Sequence, residues 1–199
     1  MARKEVLVIH GSPRSKGNTD LMVERLVEGI RQRDMDSFDI GIEHIFAKKV
    51  DVSPCRECCN CSRTGECVVQ DDMQGMYKLL LDCDLLVVSS PVFFTTVSGY
   101  LKAIIDRCQR FWSLKYEHKK KIIKKQRNGI FIAAAGSGSK DIFDCAKKVI
   151  RALFDVLYID YLKDFTFNQV DAKGDILMNR EAIEKLYDFG REGALFKES

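Results

Sequence analysis

The chain has 199 residues, 46% of them hydrophobic, which is enough for one buried core. Charged residues make up 31% and the formal net charge is +3, without the strong basic excess of a nucleic-acid binder. No apolar run nears the roughly 18 residues of a membrane span, and 6–9 is too short for a secretory signal, so a soluble, cytoplasmic protein without membrane or nucleic-acid partners is expected. Residues 5–10 (EVLVIH) are a short β-branched run, the pattern of a strand buried on both faces. A Gly- and Ser-rich turn follows, and Leu21, Met22, Leu26, Val27 and Ile30 then recur at helical spacing over 19–33. Residues 38–46 read as a second strand, and 52–69 as an irregular, cysteine-rich segment. The spacing predicts a helix over 72–83, with Asp71 and Asp72 favourable at its N-terminus. A third strand at 84–89 leads into a helix over 97–112, and a fourth at 129–135 into a helix over 141–157. A fifth strand at 160–168 precedes a last helix over 179–196, with Asn179 as its N-cap.

Strands alternating with helices imply crossover connections and a parallel sheet covered on both faces. Five strands suit a flavodoxin-like three-layer sandwich of order 2-1-3-4-5. We expect a single domain over 1–199, with a cysteine-rich loop at 53–70 and a basic insertion at 113–127. In such open sheets ligands sit beyond the carboxyl ends of the strands. Three of those ends are distinctive: His10-Gly11-Ser12, Ser89-Ser90-Pro91 and Ala135-Gly136-Ser137.

The first of these ends opens the segment His10-Gly11-Ser12-Pro13-Arg14-Ser15-Lys16-Gly17-Asn18-Thr19. It joins a buried strand to a helix N-terminus, whose free N–H groups and partial positive charge attract phosphate. Gly11 and Gly17 let the backbone approach closely. Ser12, Ser15, Asn18 and Thr19 supply short donors, and Arg14 a bidentate fork. The Walker ending and the GxGxxG spacing are both missing, which argues against ATP, GTP or a dinucleotide in this loop. Without further context, the segment also reads as a tight turn capped by Asn18 or Thr19.

This loop, the run Ser89-Ser90-Pro91-Val92-Phe93-Phe94, and the run Gly99-Tyr100-Leu101-Lys102-Ala103-Ile104-Ile105-Asp106-Arg107 together resemble the NADPH-dependent FMN reductases and their relatives. Phe93 stands where that family usually has Tyr. The resemblance runs from Lys4 to about Arg110 and continues more weakly to the C-terminal helix. It implies noncovalently bound FMN, its phosphate held by Ser12, Arg14, Asn18 and Thr19. Pro91, Val92, Phe93 and Phe94 would line the ring, and Gly136, Ser137 and Gly138 would lie near its edge. The chemistry would rest on the flavin, with no catalytic acid or base from the protein.

Cys55, Cys58 and Cys61 follow one another at intervals of three, and Cys67 arrives after the turn-forming Thr64-Gly65. Three thiolates so spaced can converge from one loop on a tetranuclear cluster, as in the compact ferredoxin run. The spacing, and the stretch from Cys67 to Met73, also resemble the iron–sulfur flavoproteins, which implies a [4Fe-4S] cluster beside the flavin. Tetrahedral zinc and thiols without metal remain open. Cys59 is a further thiol, and Cys83, Cys108 and Cys145 read as packing residues. Asp106 and Arg107 read as a structural ion pair or as helix C-terminal contacts. His10 reads as a buried polar group, while His44 and His118 show no ligand pattern. The basic run 115–127 reads as a solvated excursion, or as a surface attracting the NADPH phosphates or an anionic partner.

The function expected from this reading is an oxidoreductase passing electrons from NAD(P)H or reduced ferredoxin through FMN to an acceptor, with [4Fe-4S] as a second carrier. A non-enzymatic flavin and thiol electron carrier or redox sensor is the alternative, and a zinc-bound protein that has lost flavin a third. The resemblance also implies a homodimer or homotetramer, with Trp112 and Tyr116 packing across the interface.

Overall fold

Five strands form one parallel sheet in a computed structural model that describes residues 2–33, 38–123 and 125–196. In chain order the elements are β1 (Ala2–His10), α1 (Asn18–Arg31), β2 (Phe38–Phe46), α2 (Asn60–Thr64), α3 (Met73–Asp82), β3 (Leu85–Pro91), α4 (Gly99–Arg107), α5 (Gln109–Trp112), β4 (Asn128–Ala134), α6 (Asp144–Val156), β5 (Asp160–Phe167) and α7 (Arg180–Glu192). A π turn at Ser113–Glu117 and a 3-10 turn at Asp175–Met178 complete them. The strand order is β2-β1-β3-β4-β5, the flavodoxin-like order expected from the sequence. Among the described residues, no helix is long and apolar enough to cross a membrane.

Strand side chains alternate between faces, and the sheet has a core on each. Leu7, Ile9, Leu86, Val88 and Phe131 meet Leu80, Leu101, Ile104 and Leu153 from α3, α4 and α6. Val6, Val8, Leu85, Val87 and Ile130 meet Met22, Leu26, Ile30 and Leu186 from α1 and α7. α1 and α7 cross where Gly29 and Gly190 face each other's backbone. A Cβ on Gly29 would overlap the Tyr187 carbonyl oxygen, and one on Gly190 the Leu26 carbonyl oxygen. The Asn179 side chain accepts from the Ala182 N–H and caps α7 as expected.

Several expectations need correction. The helix predicted over 97–112 is broken. The Cys108 N–H bonds the Ile105 carbonyl, the tighter three-residue step, and the chain re-aims as α5 so that Phe111 is buried edge-on to Tyr77. Cys145 is exposed, because the period of α6 turns Ala146, Ile150 and Leu153 inward instead. Asp106 and Arg107 do not pair with each other. Asp106 bonds Lys102 on the same helix, and Arg107 pairs with Asp71.

The basic stretch is not a free charge run. Lys115 and Tyr116 bond Asp155, and Lys125 bonds Asp84. Arg127 is 1% exposed and donates to the Leu80, Leu81 and Cys83 carbonyls and to that of Leu157. A cation is favourable there, since these carbonyls belong to the C-terminal ends of α3 and α6. Lys124 lies outside the described residues.

Candidate active site

The three strand ends singled out in the sequence meet at the carboxyl edge of the sheet, where His10 is in register with Ser89 and Pro91 with Ala134. They line one cavity. Ser12, Pro13, Arg14, Gly17, Asn18 and Thr19 come from the first loop, Pro91, Val92 and Phe93 from the second, and Ala134, Ala135 and Gly136 from the third. Val170 and Asp171, which follow β5, complete the wall. Ser15, Phe94, Ser137 and Gly138 are exposed and stand outside the lining.

Buried hydroxyls knot the loops together. Ser98 is 1% exposed; its Oγ donates to the Gly11 carbonyl and accepts from the Leu101 N–H, so it caps α4. Its own N–H donates to Ser90 Oγ at 3.0 Å. The Gly11 N–H donates to the Ser89 carbonyl at 2.7 Å, and a Cβ on Gly11 would stand 2.6 Å from that same oxygen. Only glycine lets β1 pass so close to β3 here. Ser12 Oγ accepts from the Arg14 N–H at 3.1 Å, which closes the turn of the first loop.

α1 begins at Asn18 after Gly17, and no side chain caps it, so the alternative reading of a loop capped by Asn18 or Thr19 does not hold. Its first N–H groups face the cavity end of the helix, where an anion is favoured. The Asn18 side chain is spent elsewhere. It donates to the Ala172 carbonyl and accepts from the Gly174 N–H, both at 2.9 Å. Arg14 donates through Nη1 to the Asp171 carbonyl at 3.0 Å.

Beneath this loop runs a chain of titratable groups, buried at Asp20 and His10 and half-buried at His44. Asp20 Oδ2 accepts from the Lys16 N–H, and Asp20 Oδ1 lies 3.0 Å from His10 Nδ1. His10 Nε2 lies 3.0 Å from His44 Nδ1, and the His10 ring stacks on Phe46. Burial, then the neighbouring His10 and Arg31, hold His44 below the ordinary histidine value against the opposing pull of Glu43. Lys16 takes the left-handed conformation, φ 53°, that this turn requires.

The second loop turns sharply. The Phe93 N–H donates to the Thr96 carbonyl and the Thr96 N–H to the Phe93 carbonyl, with Phe94 and Thr95 at φ 46° and 64°. Phe93 is 44% exposed and Phe94 fully so, so neither belongs to the core.

A second and larger cavity, about 520 Å³, is lined by Cys55, Cys58, Cys59, Cys61 and Cys67, with Arg107, Arg110 and Trp112 on its wall. Partial burial pushes the Cys67 thiol up. The Val69 N–H, the Tyr77 hydroxyl and the Arg107 guanidinium outweigh it and hold the thiol below the ordinary cysteine value. Ser113 Oγ donates to Cys61 Sγ at 3.6 Å. Among the described residues, no three His, Cys, Asp or Glu side chains are grouped closely enough to hold a single metal ion. The donor set nonetheless fits a larger sulfur-rich group. Thiols line one cavity, and Arg107 Nε is a buried donor there without an acceptor among the described residues.

Sequence reasoning missed Asp20 and Asp171, and read Asp71 only as a charge favourable at a helix N-terminus and not as the partner of Arg107. Asp171 carried a signal, its position just past the carboxyl end of a strand. Asp71 sits 36 residues from Arg107, and nothing in that spacing pairs them.

A parallel sheet of order 2-1-3-4-5 with a helix-start loop and Phe93 lining a cavity at its carboxyl edge defines a flavodoxin-like fold with a candidate ligand site at that edge. Residues 5–168 match the family of NADPH-dependent FMN reductases, and the chain belongs to that family. An iron–sulfur flavoprotein of Archaeoglobus fulgidus is 28% identical over 144 residues, 72% of this chain and 61% of that protein. A Bacillus subtilis protein, named for an NAD(P)H-dependent FMN-containing oxidoreductase, is 27% identical over 90% of this chain and 92% of its own. An iron–sulfur flavoprotein of Methanocaldococcus jannaschii is 33% identical over 52% of this chain and 51% of its own, so the match spans about half to three fifths of the two iron–sulfur relatives. Among solved structures, the Trp repressor binding protein of Bacillus subtilis superposes with a TM-score of 0.61 at 20% identity, covering 98% of this chain and 99% of that one. An FMN-dependent NADH-azoreductase of Bacillus anthracis, solved with FMN, gives 0.62 at 12% identity, covering 94% and 98%. These structural likenesses speak to the fold.

Proposed function

We propose that this chain binds FMN across the three strand-end loops and passes electrons from NAD(P)H through it to an acceptor. The observation that carries the reading is the meeting of those loops around one cavity at the start of α1. Bound FMN supplies hydride acceptance and both one- and two-electron transfer. The residues supply the rest. The first N–H groups of α1, with Ser12, Gly17 and Thr19 of the lining, bind the phosphate, while Ser15 stands outside it and accepts from Lys48. Arg14 adds its charge, tethered over the loop by the Asp171 carbonyl. Asn18 acts through its backbone and by fixing the 172–176 segment. Pro91, Val92, Phe93 and Phe94 form the ring shelf, and Gly136, Ser137 and Gly138 border its outer edge.

Cys55, Cys58, Cys61 and Cys67 would hold [4Fe-4S], a one-electron store beside the flavin. The shared cavity, the lowered Cys67 thiol and the iron–sulfur relatives support this. Exposed Trp112, Tyr116 and Phe94 are the surface on which a homodimer or homotetramer would form. The thiol-lined cavity also favours a second reading, a flavin and thiol electron carrier that signals to a partner.

Titration of FMN with the apoprotein, followed by fluorescence quenching, tests the first claim, and riboflavin serves as the phosphate-free control. Binding of FMN well above riboflavin is expected, and no quenching of FMN refutes the reading. Steady-state NADPH oxidation with a quinone or ferric acceptor separates enzyme from carrier. Turnover of about 1–10 s⁻¹ marks an enzyme, and one stoichiometric reduction marks a carrier. Anaerobic purification with iron, sulfide and zinc analysis decides the content of the cysteine site.

A further inference from the structure

Arg107 ends α4, and its side chain is 1% exposed. Nη1 donates to the Ser53 carbonyl at 2.9 Å and to the Asp71 carboxylate at 2.5 Å. Nη2 donates to the Val69 carbonyl at 3.3 Å and to the other Asp71 oxygen at 3.1 Å. Ser53 and Val69 are the two ends of the cysteine loop. Asp71 also accepts from the N–H groups of Ser53 and Met73. One planar guanidinium thus closes the whole loop, and a carboxylate locks the closure.

A second observation is independent of the first. Arg107 Nε is buried and has no acceptor among the described residues, although Arg107 lines the cysteine cavity. Leaving a buried donor unmade is costly, so such an atom calls for a missing acceptor. Cys67 lies beside the guanidinium, and the natural acceptor is a sulfur.

We propose that Arg107 is the positioning residue of the cysteine site, closing the loop that carries the four thiols and donating through Nε to the sulfur-rich group they hold. The proposal rests on the cluster reading given above. Hydrogen bonds to cluster sulfurs favour the more negative, reduced state and raise its potential. Lysine keeps the charge but lacks the fork, so it cannot serve two carbonyls and a carboxylate together. The far end of the same helix is tied through Ser98 to Gly11 and Ser90. α4 therefore joins the loop proposed for FMN to the loop proposed for the cluster.

The test compares the unaltered protein with Arg107→Lys and Asp71→Asn, all prepared anaerobically. Hydrogen exchange is read on metal-free protein, then iron and sulfide content after reconstitution, then the cluster potential by redox titration followed by electron paramagnetic resonance. Arg107→Lys is expected to speed exchange across 53–70 at least tenfold, with β1 and β3 amides unchanged as the fold control. It is also expected to lower iron content and to move the remaining cluster to a more negative potential. Asp71→Asn gives the same exchange result at smaller size, and carries the test if Arg107→Lys does not fold. Unchanged exchange in both variants, or an unmoved potential at full iron content, overturns the proposal. If the unaltered protein takes up no iron, the cluster reading falls with the Nε donation, while exchange still judges the closure of the loop.

Discussion

Ser98→Ala tests whether the proposed flavin loops are held by one hydroxyl. Ser98 Oγ caps α4 by accepting from the Leu101 N–H and satisfies the buried Gly11 carbonyl. Alanine removes both bonds and fills the same space otherwise. Loss of an N-cap costs about 1 kcal/mol. The orphaned Gly11 carbonyl adds about 1–3 kcal/mol, because no other group replaces the hydroxyl at that buried point. The sum, roughly 2–4 kcal/mol, lowers the melting temperature by roughly 4–16 °C for a chain of this size. Gly11 also opens the anion loop, and a share of about 1.4 kcal/mol falling on that loop weakens FMN tenfold. A thermal melt of the apoprotein and an FMN titration read the two effects. A melting point within about 2 °C of the unaltered protein, with unchanged FMN affinity, refutes the argument that this hydroxyl joins the loops.

Gly29→Ala puts a methyl into the α1–α7 crossing, where the Tyr187 carbonyl oxygen already sits; overpacking predicts a loss of about 1–3 kcal/mol in urea unfolding. Asp71 is held below the ordinary carboxylate range, since its bonds from Arg107, Ser53 and Met73 outweigh the opposing effect of burial. Its contribution is therefore complete above about pH 4 and is lost as pH falls through the lower folded value. Asp71→Asn should cost about 3–5 kcal/mol at neutral pH, with the two stability curves converging below about pH 4; parallel curves across the acid range would contradict this. Burial pushes the Cys83 thiol up to about 11 and Cys108 up to about 12, whereas Cys67 is held below its ordinary value. Iodoacetamide at pH 8 should therefore modify Cys67 in metal-free protein and spare Cys83 and Cys108 until denaturant is added, as read by mass spectrometry.

The centre of the sheet was legible because β1, β3 and β4 hold short apolar runs, which a two-sided core explains, while the edge strands β2 and β5 show mixed polar patterns. The cavity loops were legible for a related reason: chain reversals at strand ends are local, and Gly11, Pro91 and Gly136 mark them. What stayed hidden was long-range polar pairing. Arg107 with Asp71, Arg127 with four carbonyls, and His10 with Asp20 and His44 are set by tertiary packing, which no period of 2 or 3.6 encodes. The break at Cys108 was equally silent, because no Gly or Pro marks it, and the burial of Phe111 decides it. In the run 115–127, positive charge masked the burial of Ile123 and Arg127, since charge pattern reports composition and not which guanidinium finds helix-end carbonyls.

The bonds from Asn18 and Arg14 to the 171–176 segment span more than 150 positions. α1 rests on α7 through the Gly29–Gly190 crossing. The anion loop therefore gains these neighbours only once a segment more than 150 positions later has folded against it. Contacts of such sequence separation form late and slowly. β1 can pair with β2 and β3 before this loop has its floor, so a ligand proposed to bind there would wait for the 171–176 segment to fold against it.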